Sequence, residues 1–197
     1  MSSFQKNTVA VVFGLLLLIS CSGNEGLKSD EKTEQSESLA VSGETVHENS
    51  TDLSKLSPLS TEQFKAFFPA TLIGLPQTSF VESFMPGLGT GSATYRTGNR
   101  SIRVMIIDGA GEKGSGAVSS YQFSHTKDYD EKGSWGYTKT IYHEGIKMKE
   151  SGLSEDEFVW ALFYKDRFAV DIEAKEVTKE ELGAIMKELN LENLPTN

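Results

Sequence analysis

The hydrophobic and polar positions divide the 197-residue chain into three stretches. Residues 9–19 form an apolar run, whereas residues 22–57 contain few apolar side chains and no aromatic one. From residue 58 onward, apolar residues recur with the periods of helices and strands. We therefore predict an N-terminal apolar segment at 1–20, a polar segment at 21–57 and a single folded domain at 58–197.

Two helices are predicted, one at each end of the folded domain. At the start, Ser60 and Gln63 have the spacing of a capping box, and Phe64 occupies the fourth helical position. At the end, Thr178 and Glu181 form a second capping box. Apolar residues then recur at i, i+3, i+4 and i+7, at Leu182, Ile185, Met186 and Leu189. This spacing is typical of a helix that packs one face on a core.

Between these helices, alternating apolar and polar residues predict strands joined by tight turns. Hairpins are expected over 93–107, 133–149 and 158–173, and a short helix is expected over 116–123. The predicted fold class is α+β. We expect an antiparallel sheet of about five to seven strands, with the N-terminal and C-terminal helices packed on one face.

The apolar run ends at the only cysteine of the chain. It is shorter than the roughly 20 residues that a membrane-spanning helix needs, and Lys6 precedes it, as in a signal peptide. The sequence Leu18-Ile19-Ser20-Cys21 resembles the lipobox of bacterial lipoproteins, which carry type II signal peptides. The alternatives are an ordinary secretory signal cleaved nearby and an uncleaved membrane helix.

The resemblance to bacterial lipoproteins implies how the chain is processed and where it lies. Cleavage between Ser20 and Cys21, a diacylglyceryl thioether on Cys21 and an acylated amino group would attach the protein to a lipid bilayer. In this class an Asp after the cysteine favours the inner membrane. Because Ser22 stands there, the outer membrane is favoured if the source has both. The predicted localisation is the bacterial cell envelope, and the element order resembles that of sheet-and-helix domains in small envelope lipoproteins.

The polar segment is acidic and is expected to be a disordered tether. Residues 22–57 contain eight Asp or Glu and three Lys, within a chain of net charge -9. Such a segment cannot bury enough apolar area to offset its conformational entropy. An acidic chain without a basic cluster is also unlike a protein that binds nucleic acid.

Two short motifs resemble parts of cofactor or metal sites. Residues 109–114 fit G-x-G-x-x-G, but the following residues are too few and too polar for a dinucleotide-binding unit. Residues 128–133 resemble the start of a calcium loop, but Lys132 and Lys139 occupy positions that require oxygen ligands. We predict no nucleotide, no cofactor and no metal.

The sequence lacks a recognisable catalytic motif. A hydrolase could assemble a set from Ser119 or Ser120, His125 or His143, and a distant Asp, because such sets are spatial. The leading hypothesis is instead a non-enzymatic envelope module that binds a protein, a glycan or a small ligand. A structural or assembly role in an envelope complex is the third possibility.

The remaining candidate site is aromatic. Trp135, Tyr137 and Tyr142 lie on one predicted hairpin, where they could contact a ligand or a partner. Packing of these side chains on the core is the alternative interpretation.

Overall fold

The computed structural model describes residues 52–83 and 85–196. The predicted signal peptide, Cys21 and almost all of the predicted tether lie outside the described residues. Within the described part of the chain, no helix is long and apolar enough to cross a membrane.

The described residues form one antiparallel sheet of nine strands. The α+β class and the antiparallel sheet are thus confirmed, whereas the predicted count of five to seven strands is wrong. The strands are β1 (Thr71–Leu72), β2 (Leu75–Glu82), β3 (Gly89–Thr97), β4 (Arg100–Asp108), β5 (Asp130–Gly133), β6 (Gly136–His143), β7 (Ile146–Gly152), β8 (Glu157–Tyr164) and β9 (Phe168–Lys175).

The count was too low because the extra strands carry weak patterns. β1 has two residues, and β5 is exposed along its whole length, so neither shows apolar alternation. β2 contains Pro76 and a register shift between Gln77 and Ser79. Such features mark edge strands rather than central ones.

The strand order shows two meanders that meet in the middle of the sheet. The order is β1-β2-β3-β4-β9-β8-β7-β6-β5, so the chain runs from one edge to β4 and then restarts at the opposite edge with β5. The second meander returns to the centre, where β9 pairs with β4. The central strands therefore come from both halves of the domain.

Four α-helices accompany the sheet in the described residues: α1 (Thr61–Phe67), α2 (Gly111–Ala117), α3 (Ser119–His125) and α4 (Leu182–Leu189). Ser60 and Gln63 form the predicted capping box of α1. Thr178 and Glu181 form the second box, which caps a 3-10 turn that leads into α4. Where one short helix was expected over 116–123, the chain forms α2 and α3 in succession.

The two faces of the sheet carry separate apolar clusters. Val104, Trp160 and Ile172 lie in the larger cluster with side chains of α1 and α4, and we call this side the core face. Phe163 and Ala169 lie in a smaller cluster with Val118, between α2 and α3, and with Leu53. Because adjacent strand residues point to opposite faces, the smaller cluster lies on the other side of the sheet, here called the open face.

Candidate functional site

The open face is covered at one end and forms a groove at the other. Val118 and Leu53 pack over Phe163 and Ala169, where α2 and α3 lie. At the opposite end a groove of about 510 Å³ opens on the sheet. We call it the open groove; its lining residues are Thr94, Arg96, Ser101, Arg103, Leu153, Glu157, Phe158, Val159, Glu173, Ala174 and Lys175.

Cross-strand ion pairs form the floor of the open groove. Arg103 lies directly opposite Glu173 across the β4–β9 pair, and its Nε donates to Glu173 Oε2 over 3.0 Å while Nη2 donates to Oε1. Glu157 lies opposite Lys175 across the β8–β9 pair, with 2.7 Å between Oε1 and Nζ. All four side chains remain partly exposed. Their outer atoms are therefore available to a ligand.

Arg96 is different from the other charged residues of the groove. It lies on β3 and is exposed. In the part of the chain that the structure describes, Arg96 forms no ion pair, whereas Arg103, Glu157, Glu173 and Lys175 are all paired. The groove therefore has a cationic end at Arg96.

The far end of the groove is apolar. Leu153 lines the groove and is 58% exposed, and Val159 of β8 also lines it. Trp135, in the turn between β5 and β6, is 53% exposed. Its indole lies against Gly133, where an added Cβ would be 2.5 Å from the indole Nε1.

The register places Trp135 on the same side of the sheet as the groove. Gly133 follows Glu131 by two residues, and Glu131 lies opposite Thr138. Thr138 lies in turn opposite Ser151, which pairs with the groove residue Val159. Since residues two apart share a face, Gly133 points to the open face and the indole covers it there.

The structure separates the three aromatic residues that the sequence indicated. Trp135 lies on the open face near the groove. Tyr142 also lies on the open face, at the other end of β6, where it is opposite Lys147 and is 66% exposed. Tyr137 lies on the core face, where its hydroxyl donates to Glu150. A shared contact surface of all three is therefore not formed, and their role in binding stays a prediction.

Glu150 is the centre of a buried polar network on the core face. It is 3% exposed and accepts from Tyr137 over 2.7 Å and from Trp160 Nε1 over 2.9 Å. Lys139, directly opposite on β6, lies 3.3 Å from Oε1. Lys179, in the turn before α4, lies 3.8 Å from the same oxygen and over the Tyr137 ring. The network joins β6, β7, β8 and the start of α4.

The partners of Glu150 decide its ionisation. Burial acts to raise the pKa of Glu150, but hydrogen bonds from Tyr137 and Trp160 and the charge of Lys139 outweigh burial and lower it. Burial and the hydrogen bond to Glu150 raise the pKa of Tyr137 to about 12. The pair is thus an ionised carboxylate and a neutral phenol, an arrangement that holds structure rather than moves a proton.

Asp171 behaves in the opposite way on the open face. Burial raises its pKa, although Tyr121 of α3 donates a hydrogen bond to Oδ2. Burial and that same bond raise the pKa of Tyr121. Asp171 therefore connects α3 to β9 at the covered end of the open face.

The glycine motif at 109–114 has a packing role. A Cβ on Gly109 would lie 2.6 Å from the carbonyl oxygen of Arg167, and one on Gly114 would lie 2.4 Å from that of Asp108. Gly111 has a φ of +80° at the start of α2. These close contacts allow the chain to turn from β4 directly into α2, which accounts for the glycines.

Asp108 and Arg167 form a fully buried ion pair beside this turn. Arg167 Nε and Nη2 donate to the two carboxylate oxygens over 2.7 and 2.8 Å. The same carboxylate accepts from the backbone N–H groups of Leu59 and Ala110, over 2.8 and 2.9 Å. Arg167 Nη2 also donates to the carbonyl of Ser57 over 3.3 Å. The pair thereby fixes the segment that enters the domain.

The residues of the possible hydrolase set each contact different parts of the protein. His125 packs against Phe163, and His143 lies beside Gly183. Ser119 Oγ donates to the carbonyl of Gly116 over 2.8 Å. Among the described residues, neither imidazole forms a hydrogen bond with a serine or a carboxylate.

The segment that resembles a calcium loop forms an edge strand. Residues 130–133 are β5, and Asp128 pairs with Lys147 over 2.9 Å. Within residues 52–83 and 85–196, no group of three or more His, Cys, Asp or Glu is arranged to hold a metal ion.

Comparisons with protein-family models, with curated proteins and with solved structures find no match for this chain.

Sequence reasoning missed the open groove, although a signal was present. Thr94 and Arg96 on β3, and Ser101 and Arg103 on β4, are polar at alternate positions. The same holds for residues 171, 173 and 175 of β9. Polar alternation in three strands indicates a common solvated face, but only the pairing of β4 with β9 brings these residues together.

Proposed function

We propose that the protein is a lipid-anchored binding module of the bacterial cell envelope, with the open groove as its ligand site. The observation that carries this proposal is the groove of about 510 Å³ on a sheet face that α2 and α3 cover at one end only. Side chains of α1 and α4 lie in the apolar cluster of the core face, whereas the open groove leaves its lining side chains accessible to a ligand.

The groove has the composition of a binding surface. Its paired charges offer donors and acceptors at fixed positions, because both ion pairs join side chains that face each other on neighbouring strands. Leu153 and Trp135 supply exposed apolar area at one end. Few polar groups on a rigid sheet, combined with apolar contact, are typical of ligand sites.

The proposed anchor suits such a module. Acylated Cys21 would hold the chain at the outer membrane, and the acidic segment that follows would let the domain reach material away from the bilayer. At the end of this acidic segment, the carbonyl oxygen of Ser57 accepts a hydrogen bond from Arg167, and the backbone N–H of Leu59 donates one to Asp108. The tether would thus join the domain at a fixed point.

The experiment that tests this proposal has two parts. The first is intact-mass analysis and fractionation of the natural chain and of Cys21→Ala. We expect the natural chain to begin at Cys21 with added acyl mass and to lie in the membrane, and the variant to be soluble. A soluble, unacylated natural chain would overturn the anchor.

The second part uses the soluble Cys21→Ala chain and washed cell envelopes of the source bacterium in a sedimentation assay. We expect the chain to sediment with the envelopes, and we expect Arg103→Ala and Glu173→Ala, made together in this chain, to abolish sedimentation. The matched control is Asp52→Ala and Lys55→Ala, made together, which removes an exposed ion pair outside the groove. Equal sedimentation of the groove variant and the control would rule out the groove as the site.

A further inference from the structure

We infer that the open groove binds an acidic oligosaccharide that lies across the strands, with its anionic group at Arg96 and a sugar ring on Trp135. This inference rests on the proposed function and names the ligand class of the same site. Four observations support it: the length of the groove, the kind of polar groups on its floor, the unpaired cation and the position of the indole.

The groove is long and runs across the sheet. From Arg96 on β3 to Leu153 after β7, the path crosses β4, β9 and β8. Four steps between neighbouring strands of about 4.8 Å each give roughly 19 Å. Trp135, beyond β6, extends this path further. A ligand that contacts both ends must therefore be an extended chain of several units.

The floor offers donors and acceptors side by side. Arg103 and Lys175 present N–H groups, and Glu173 and Glu157 present carboxylate oxygens on the adjacent strand. Ser101 and Thr94 add hydroxyl groups. A sugar hydroxyl donates one hydrogen bond and accepts others, so it matches a floor on which donors and acceptors alternate over a few ångströms.

The unpaired cation at one end of the groove indicates that the ligand is negatively charged. Arg96 is exposed and has no ion-pair partner among the described residues, whereas the other groove charges neutralise each other in pairs. A guanidinium group binds a carboxylate through two parallel hydrogen bonds. The complementary ligand therefore carries a carboxylate, which an acidic sugar provides.

The opposite end favours a ring with an apolar side. The Trp135 indole lies against Gly133 on the open face, and Leu153 lines the groove. An indole presents a large, rigid apolar surface with a polar edge. The C–H side of a sugar ring fits such a surface, while its hydroxyl groups stay hydrated.

An extended peptide fits this groove less well. On the groove floor, β4, β9 and β8 each have a paired strand on both sides, so their backbone N–H and C=O groups are used within the sheet. Extended peptides generally gain affinity by adding a strand to a free sheet edge. Across the groove, only side chains can contribute, which favours a ligand rich in hydroxyl groups.

The test is calorimetric titration of the soluble Cys21→Ala chain with three probes. These are tetragalacturonate, the neutral maltotetraose and a tetraglutamate peptide. We expect tetragalacturonate to bind most tightly. Arg96→Gln should weaken it about 10-fold, because a charge-assisted hydrogen bond is lost, and Trp135→Ala should weaken it by a similar factor.

The matched controls are Lys187→Gln and Tyr142→Ala. Lys187 is an exposed cation on α4, and Tyr142 is an exposed aromatic residue at the other end of the open face. Neither variant should change the affinity for tetragalacturonate by more than about twofold. Equal effects of the control and groove variants would overturn the inference.

The probes also separate this inference from the proposed function. Tighter binding of tetraglutamate than of tetragalacturonate would overturn the glycan class, yet would leave the groove as a ligand site. Equal affinity for maltotetraose and tetragalacturonate would overturn the role of Arg96. If no probe binds while the envelopes still retain the chain through the groove, the ligand class is wrong and the proposed function stands.

Discussion

The two faces of the sheet use charged residues in opposite ways. On the core face, Glu150 is 3% exposed and has hydrogen bonds from Tyr137 and Trp160, with Lys139 and Lys179 nearby. On the open face, Arg103 and Glu173 are paired but remain 49% and 44% exposed. A buried charge must find its partners inside the protein, whereas a half-exposed pair can exchange contacts with a ligand. The core-face network therefore holds structure, and the charges of the open groove stay accessible to solvent.

The two tryptophans give the sharpest form of this comparison. Trp160 is fully buried on the core face, and Trp135 is 53% exposed on the open face. We expect Trp160→Ala to lower the free energy of unfolding by about 5 kcal/mol, because it leaves a cavity and removes a donor to Glu150. Trp135→Ala should change it by less than about 0.5 kcal/mol. Urea unfolding followed by circular dichroism measures both; similar losses would contradict the assignment of the faces.

The ion pairs provide the next test. We expect Asp108→Ala to cost about 4 kcal/mol in the free energy of unfolding, because the guanidinium of Arg167 stays buried without its carboxylate. Glu173→Ala, its control on the open face, should cost less than about 1 kcal/mol, because Arg103 can be hydrated. The same urea titrations apply. A cost for Glu173→Ala as large as that for Asp108→Ala would mean that the groove pair holds the fold.

The pH dependence of stability should have opposite signs at Glu150 and Asp171. The pKa of Glu150 is lowered in the folded protein, so its stabilising contribution is present above about pH 4.3 and is lost as the pH falls through the folded pKa. The pKa of Asp171 is raised, so its ionisation opposes folding as the pH rises above about 3.9.

Two conservative variants measure these contributions. Glu150→Gln should be less stable than the natural chain at pH 7, and the deficit should shrink as the pH falls. Asp171→Asn should have its greatest relative stability at pH 7, and that advantage should shrink toward low pH. Urea unfolding of each variant and of the natural chain between pH 3 and pH 7 measures both differences. Differences that do not vary with pH would contradict both signs.

The local elements were predictable because their signals are local. The capping boxes at Ser60 and Thr178 act within one helical turn, and both form. The turns at Glu144-Gly145 and Lys165-Asp166 have positive φ at both residues, as tight hairpins require. Polar alternation likewise marks the exposed side of β9. By contrast, Tyr137 and Trp135 are two residues apart on one predicted hairpin, and the sequence could not tell that one is a partner of Glu150.

The sequence by itself determined the class of the fold, because capping, periodicity and turn chemistry depend on residues within a few positions of one another. It also carries the lipobox-like Leu18-Ile19-Ser20-Cys21, on which the proposed anchor rests. Only the tertiary structure decided which strands are neighbours. Pairing of β4 with β9 joins residues about 70 positions apart, so that Arg103 meets Glu173. The open groove exists because two meanders meet at that seam, and no local pattern encodes where they meet.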